Sequence, residues 1–407
     1  MTETPENMNK VLARSLPFPH NMALVCKHWR NIVSSTPELW TRIFWAPFLD
    51  DQWVNLQLEK TGSYPVHFII NVKGALSRRF PLSLISSHLQ RLKSLTITGV
   101  LDEYRDSGML LGCAPQLDRL RLTDIRAFGC FAYPVSRLKL ECPTLRSLYV
   151  DKNTMAYYLP HEWLKNNMQH IEVLTIYGGS PINRPTSMAI SQTLEAMPLR
   201  IPCLILDDLQ FYVAYAGAYS ITIRADKVIL RTCIGDVLTA FDGDCQTIVL
   251  RDCDSIHELR CLSLPPSNSL ELDGCAATRG LRWVSKTRPW NGDTVTITNS
   301  HPSCIKIILY FLGAPFARRN CSLWPRVTTL RLVAKGDFVI ELPLMILKEM
   351  VSSRQRQAGG QENSGKDGEE LEDTVRPLRV LHVHGAQPLR SEEEMWFKKQ
   401  VRDFVWN

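Results

Sequence analysis

The chain has 407 residues, of which 45% are hydrophobic and 22% charged, and Lys plus Arg outnumber Asp plus Glu by 47 to 41. That composition excludes a disordered or collagen-like polypeptide, and the length suits a few domains or one long repeat array. A net charge of +6 over this length is too dilute for nucleic acid unless it clusters on one face.

The first residues carry Glu3, Glu6 and Lys10 and no apolar run, which is not the pattern of a signal peptide. The longest uncharged stretch with any membrane character, Leu209–Ile223, contains Gln210, Ser220 and Thr222 and is too short to span a bilayer. Both point to a cytoplasmic or nuclear protein without a membrane partner. The 12 cysteines form no CxxC pair and are expected to be reduced and buried.

In chain order, residues 1–48 form a helical segment. Pro5 and Glu6 can open a helix carrying Met8, Val11 and Leu12. Met22, Val25, Cys26, Trp29, Ile32 and Val33 then fall on one helical stripe. Thr36 is placed to N-cap a further short helix with Pro37 at its first position and Leu39, Trp40, Ile43 and Phe44 as its apolar load. Three such helices cannot enclose a core of ordinary size, so the segment needs a partner or docks on the rest of the chain.

Residues 49–390 carry a recurring pattern. It reads Leu92-x-x-Leu95-x-Ile97, Leu117-x-x-Leu120-x-Leu122, Leu145-x-x-Leu148-x-Val150 and Ile171-x-x-Leu174-x-Ile176. It continues as Leu204/Leu206, Val228/Leu230, Ile248/Leu250, Leu270/Leu272, Val295/Ile297, Leu330/Leu332 and Leu381/Val383. The anchors recur at 20 to 35 residues, with one gap of 51 before Leu381. This lies near the leucine-rich repeat period of about 20–29 residues, and each LxL reads as a short strand with alternate residues inward. Asn153, Cys233, Cys253 and Cys275 each stand three residues after a strand anchor, where such repeats place an inward polar or thiol side chain. The fold class is therefore α/β: a helical N-terminal segment, then a leucine-rich-repeat-like parallel β solenoid.

Helices are expected on some return legs, over Thr186–Met197 and from Pro343 through Val351. Gln355–Thr374, rich in Gln, Gly, Glu and Asp, reads as a disordered insertion. Residues 391–407 read as a capping helix, with Ser391 and Glu394 as a capping box and Phe397, Val401, Phe404 and Val405 on one stripe. No P-loop, HExxH, GxSxG or GxGxxG motif occurs, and His257-Glu258-Leu259-Arg260-Cys261 lacks a second His, so neither an enzyme nor a metal or cofactor site is expected. Alternating His382 and His384 read as an exposed strand face rather than metal ligands.

The run Leu24-Val25-Cys26-Lys27-His28-Trp29-Arg30-Asn31-Ile32, followed by Ser35-Thr36-Pro37-Glu38-Leu39-Trp40, resembles the F-box of proteins abundant in mushroom-forming fungi. Those proteins join it to a degenerate leucine-rich solenoid. Lys60-Thr61-Gly62-Ser63-Tyr64-Pro65 and Met350-Val351-Ser352-Ser353-Arg354 look similar too. Thr4-Pro5-Glu6 stands where the family has Leu-Pro-x-Glu, and the front half is short. The resemblance implies a substrate receptor of a Skp–cullin–F-box ubiquitin ligase. Pro5, Leu12, Leu24, Val25, Trp29, Ile32, Pro37, Leu39 and Trp40 would contact the Skp adaptor or pack the motif. A protein substrate would meet the open strand face at Arg119, Arg121, Tyr149, Tyr177, Arg231 and Arg251. The alternative is a non-ligase interaction scaffold whose N-terminal helices cap the solenoid.

Overall fold

The structure is a computed structural model. It describes residues 19–46, 51–71, 82–99, 111–124, 139–157, 159, 161–178, 200–211, 221–235, 241–253, 267–276, 290–313, 324–361 and 375–407. Pro5, Leu12 and the helix expected over Thr186–Met197 lie outside these residues. The chain divides into two compact units, Met1–Glu172 and Val173–Asn407.

In the first unit, strands β1 (Arg42–Trp45), β2 (Val66–Asn71), β3 (Leu92–Thr98), β5 (Arg119–Thr123) and β7 (Ser147–Asp151) pair in that order, each parallel to the next. Two shorter strands, β4 (Leu111–Cys113) and β6 (Lys139–Glu141), pair with each other apart from this sheet. In the second unit the parallel order is β8 (Val173–Tyr177), β9 (Ile201–Asp207), β11 (Ile221–Arg231), β14 (Thr247–Arg251), β15 (Ser269–Asp273), β16 (Thr294–Thr298), β17 (Thr329–Val333), β18 (Val380–His384) and β19 (Asp403–Trp406). Every LxL anchor is buried and sits in register with the anchors of its neighbours. Alternate residues of each strand face inward, so one strand per repeat exposes apolar side chains that only the next repeat covers.

Eight strands end in a corner with a repeated geometry. The residue two places after the last inward anchor has a left-handed backbone at Gly99, Asp124, Asp208, Thr232, Asp252, Gly274, Asn299 and Gly385. The corner N–H groups extend the ladder into the next repeat: Asp208 N to Arg231 O (2.9 Å), Thr232 N to Arg251 O (3.0 Å), Asp252 N to Asp273 O (2.8 Å) and Gly274 N to Thr298 O (3.0 Å). Gly, Asp and Asn tolerate this conformation best, which explains seven of the eight residues; β-branched Thr232 is the exception.

One residue further on, Cys233, Cys253 and Cys275 turn inward. Their thiols donate to the carbonyls of Leu206 (3.3 Å), Leu230 (3.5 Å) and Leu250 (3.2 Å), each one repeat back. Ser300 takes the same place after β16, donating to Thr298 O (3.0 Å) and accepting from Cys275 N (3.2 Å). Asn153 does not follow this pattern. It lies half-buried in the helix Lys152–Tyr157, and Asp151 satisfies the corner instead, accepting from Asp124 N (2.7 Å), Asn153 N and Thr154 N (both 3.0 Å).

Several expectations need correction. The stripe from Met22 to Val33 is not one helix: a turn at His20–Ala23 is separated from the helix Lys27–Ser35 by Cys26, whose extended backbone interrupts it. Thr36 does not cap forwards; its hydroxyl donates to Ile32 O (2.8 Å) and closes the helix behind it. Ile43 and Phe44 are not helical. Pro37–Trp40 is a single 3₁₀ turn, and the chain then enters β1 as the edge of the sheet. That edge is covered by Gln57 of the helix Asp51–Thr61, whose buried amide accepts from Phe44 N (3.1 Å) and donates to Phe44 O (3.2 Å), as a neighbouring strand would.

At the other end, the helix Ser391–Gln400 stops before Val401, and Asp403–Trp406 is strand rather than helix. Phe397 packs across the strand side chains, stacked on Phe404 (5.4 Å) and Trp406 (6.1 Å). The cap is displaced by one residue: Arg390 N donates to Glu393 Oε2 (3.2 Å), not Ser391 with Glu394. Residues 355–361, expected in a disordered insertion, continue the helix Leu344–Gln361. Arg354 anchors it, fully buried and donating to the carbonyls of Leu312 (2.8 Å), Trp324 (3.1 Å), Pro325 (2.8 Å) and Val327 (2.5 Å). The rest of Gln355–Thr374, from residue 362 on, lies outside the described residues. Return legs are also not uniformly helical: β4–β6, and β10 (Gln210–Phe211) with β12 (Ile234–Gly235), form two-stranded parallel ribbons, while β13 (Phe241–Asp244) extends the first half of β11.

Candidate interaction surfaces

The first surface is apolar. Leu24 (54% exposed), Val25 (64%), Trp29 (41%) and Ile32 (37%) occupy the turn before the helix Lys27–Ser35 and its outer side. The helix starts where the Cys26 sulfur accepts from Trp29 N (3.5 Å), and the break ahead of it is bridged by Arg30 Nε donating to Ala23 O (3.2 Å). Only Val33 of this helix is buried. Trp40, expected with the others as a contact residue, is 6% exposed and donates from Nε1 to Val33 O (2.7 Å), so it holds the turn to the helix instead. Pro37 and Leu39 are half-buried beside it. The structure thus separates Leu24, Val25, Trp29 and Ile32, which face outward, from Trp40, which faces inward.

The second surface is the open face of the first unit's sheet. Strand register aligns Arg42, His67, Ser94, Arg119 and Ser147 in one row and Phe44, Ile69, Thr96, Arg121 and Tyr149 in the next. Arg119 and Arg121 are exposed, and the Arg121 guanidinium lies 4.1 Å from the centre of the Tyr149 ring. His67 Nδ1 shares a hydrogen bond with Ser94 Oγ (2.7 Å). Burial, and then the neighbouring Arg119 and Arg42 charges, hold its imidazole below the ordinary value of 6.5.

The third surface is the open face of the second unit. Register aligns Asp207, Arg231, Arg251 and Asp273. The two arginines, expected among the contacts for a protein substrate, pair with their flanking carboxylates: Arg231 with Asp207 (3.6 Å) and Arg251 with Asp273 (3.1 Å). Lys227 reaches Glu271 (3.7 Å) diagonally across β14, and Val249 beneath that crossing is buried although it points to the open side. Tyr177 is half-buried at the end of β8, in register with Asp207.

The inward cysteines differ: the hydrogen bond shared with Cys275 lowers the Cys253 thiol from its ordinary value, whereas its two counterparts are raised. Burial pushes the Cys233 thiol up to about 12. A hydrogen bond shared with Cys253, and then burial, raise Cys275 as well, so both stay protonated at neutral pH. Among the described residues no group of three or more His, Cys, Asp or Glu side chains is placed to hold a metal ion, and no helix is long and apolar enough to cross a membrane. Comparison with known protein families finds no match, and comparison with curated proteins finds none either.

The signal that sequence reading passes over is the corner residue. Gly, Asp, Asn or Thr two places after the anchor marks eight corners and adds a second mark of the repeat to LxL. The pairing of Arg231 with Asp207 is also present in the sequence as a matched position one repeat back, but only register makes it visible.

Proposed function

We propose that the protein is a substrate receptor of a Skp–cullin–F-box ubiquitin ligase. The Leu24–Ile32 surface docks the Skp adaptor, and the open sheet face receives a protein substrate. The observation that carries this reading is the outward placement of Leu24 and Val25, in the turn before a short helix, and of Trp29 and Ile32 on that helix, which buries only Val33. Exposed aromatic and aliphatic side chains grouped on a helix and the turn ahead of it suit a helix-in-groove partner, and the LVCKHWRNI…STPELW run that resembles an F-box supplies these same side chains. The reading gives the chain no catalytic role and no cofactor; it recruits rather than reacts.

One observation favours the alternative scaffold reading: β1 is part of the sheet, and Trp40 and Val33 are buried, so the segment also closes the end of the repeats. The two readings part at adaptor binding. Immobilised full-length chain should retain purified Skp adaptor, and Ile32→Asp should abolish retention without changing the melting temperature. If the parent retains no adaptor, the segment is a cap and the scaffold reading stands.

A further inference from the structure

The two open faces balance their charges to different degrees. In the second unit Lys227, Arg231 and Arg251 each have a carboxylate partner, while Arg331 of β17 has none among the described residues. In the first unit Arg42 and Arg121 pair with no carboxylate among the described residues. Arg119 shares Asp118 (3.4 Å) with Lys93 (3.5 Å). Asp151, in register with the end of this face, is buried and spends both oxygens on Asp124 N, Asn153 N, Thr154 N and the Thr154 hydroxyl. Among the described residues the face therefore sets three arginines against the single Asp118 carboxylate, which Arg119 shares with Lys93.

Its layout is specific. Arg42 and Arg119 are three strand steps apart in one row, about 14 Å at the usual interstrand spacing. Arg121 stands two residues along β5 from Arg119, on the same face, and is held against the Tyr149 ring, which fixes its planar fork in advance. Two steps from Arg121 in the second row, Ile69 is 37% exposed beside half-buried Phe44. Cations spaced over that length, with an apolar spot between them, match an extended peptide of a few residues. A nucleic acid backbone would call for a longer basic track and no aliphatic seat.

We propose that the open face of β1–β7 binds an extended acidic protein segment, with carboxylates at Arg42, Arg119 and Arg121 and an apolar side chain seated on Ile69. This deepens the substrate-receptor reading and rests on it, by naming the class of segment recognised. Like charges gathered on an exposed face are relieved by an anionic partner, and the partner's affinity falls as salt rises.

The test is selection from a random dodecapeptide display library on the full chain, followed by titration of the synthesised consensus peptide. The expected result is enrichment of Asp and Glu together with an aliphatic residue. Arg121→Glu and, separately, Arg42→Glu should each weaken the consensus peptide at least tenfold, and raised salt should weaken the parent complex. Adaptor retention and melting temperature should be unchanged in both variants, so loss of peptide binding is distinct from loss of the ligase link. No enrichment, peptides without acidic excess, affinity indifferent to both charge reversals, or displacement of the peptide by oligouridylate at lower concentration would each overturn the proposal.

Discussion

The indole of Trp40 is 6% exposed and hydrogen-bonded to Val33 O, whereas that of Trp29, eleven residues earlier, is 41% exposed. Sequence spacing gives both the same weight as contact residues, because a helical stripe cannot reveal that Cys26 breaks the helix and Thr36–Pro37 turns the chain into a strand. Trp40→Ala should remove a buried ring and a hydrogen bond, costing about 3–5 kcal/mol of stability in urea unfolding. An unchanged midpoint would show that the ring is not part of the core. Arg354 is the second residue whose role is hidden in the sequence, since a charged side chain beside a Gln- and Gly-rich run reads as surface. Burial pushes its guanidinium down to about 10, still cationic at neutral pH, and four main-chain carbonyls replace its water. Arg354→Met leaves those carbonyls without their donor and should cost about 3 kcal/mol or more, since each buried acceptor left unsatisfied costs roughly 1–3 kcal/mol. Denaturation indistinguishable from the parent would contradict the anchoring role.

At the scale of the element, the strand and its corner form one unit. The anchors and the inward cysteines are readable from side-chain chemistry alone, so the strands fall where the LxL pattern puts them. The corner is a backbone property, and its signature is spread over four residue types, which is why it escapes an apolar-pattern search. Gly274 tests it: its φ is +63°, and an added Cβ would run into the Asp252 carboxylate of the preceding corner. Gly274→Ala should destabilise the second unit by about 1–2 kcal/mol, combining left-handed strain with that clash. Gly62, with φ +55° and open space around it, carries only the strain and should cost less when changed to Ala. Equal costs at the two sites would show that the corner contact is unimportant. The return legs are the least readable elements, because β4, β6, β10 and β12 are two or three residues long and carry no periodicity of their own.

At the scale of the molecule, two histidines of the first unit carry a pH response. His67 and His88 both titrate below their ordinary value, burial being the main cause in each, with Arg119 and Arg42 adding to it at His67 and Arg91 at His88. A depressed imidazole value means that the unfolded chain binds the proton more readily. Stability is therefore full above about pH 6.5 and falls as pH drops from there through the folded values. His67→Gln should flatten part of that decline in melting temperature between about pH 7.5 and 5.5; a parent curve that is level over this range would contradict the assignment. The parallel repeat sheet is legible from anchor periodicity. Its beginning at β1 and its end at β19 are not, because Arg42–Trp45 and Asp403–Trp406 carry amphipathic patterns too short to distinguish strand from helix. The outward apolar group is legible as residue identity but not as exposure. The measurement that bears most directly on the proposed function is calorimetric titration of the full chain with purified Skp adaptor, parent against Trp29→Ala. A working adaptor surface should give a parent dissociation constant of about 1 µM or tighter and a loss of roughly 2 kcal/mol in the variant, with melting temperature preserved. No heat of binding from the parent at tens of micromolar, or an affinity that Trp29→Ala leaves unchanged, would contradict it.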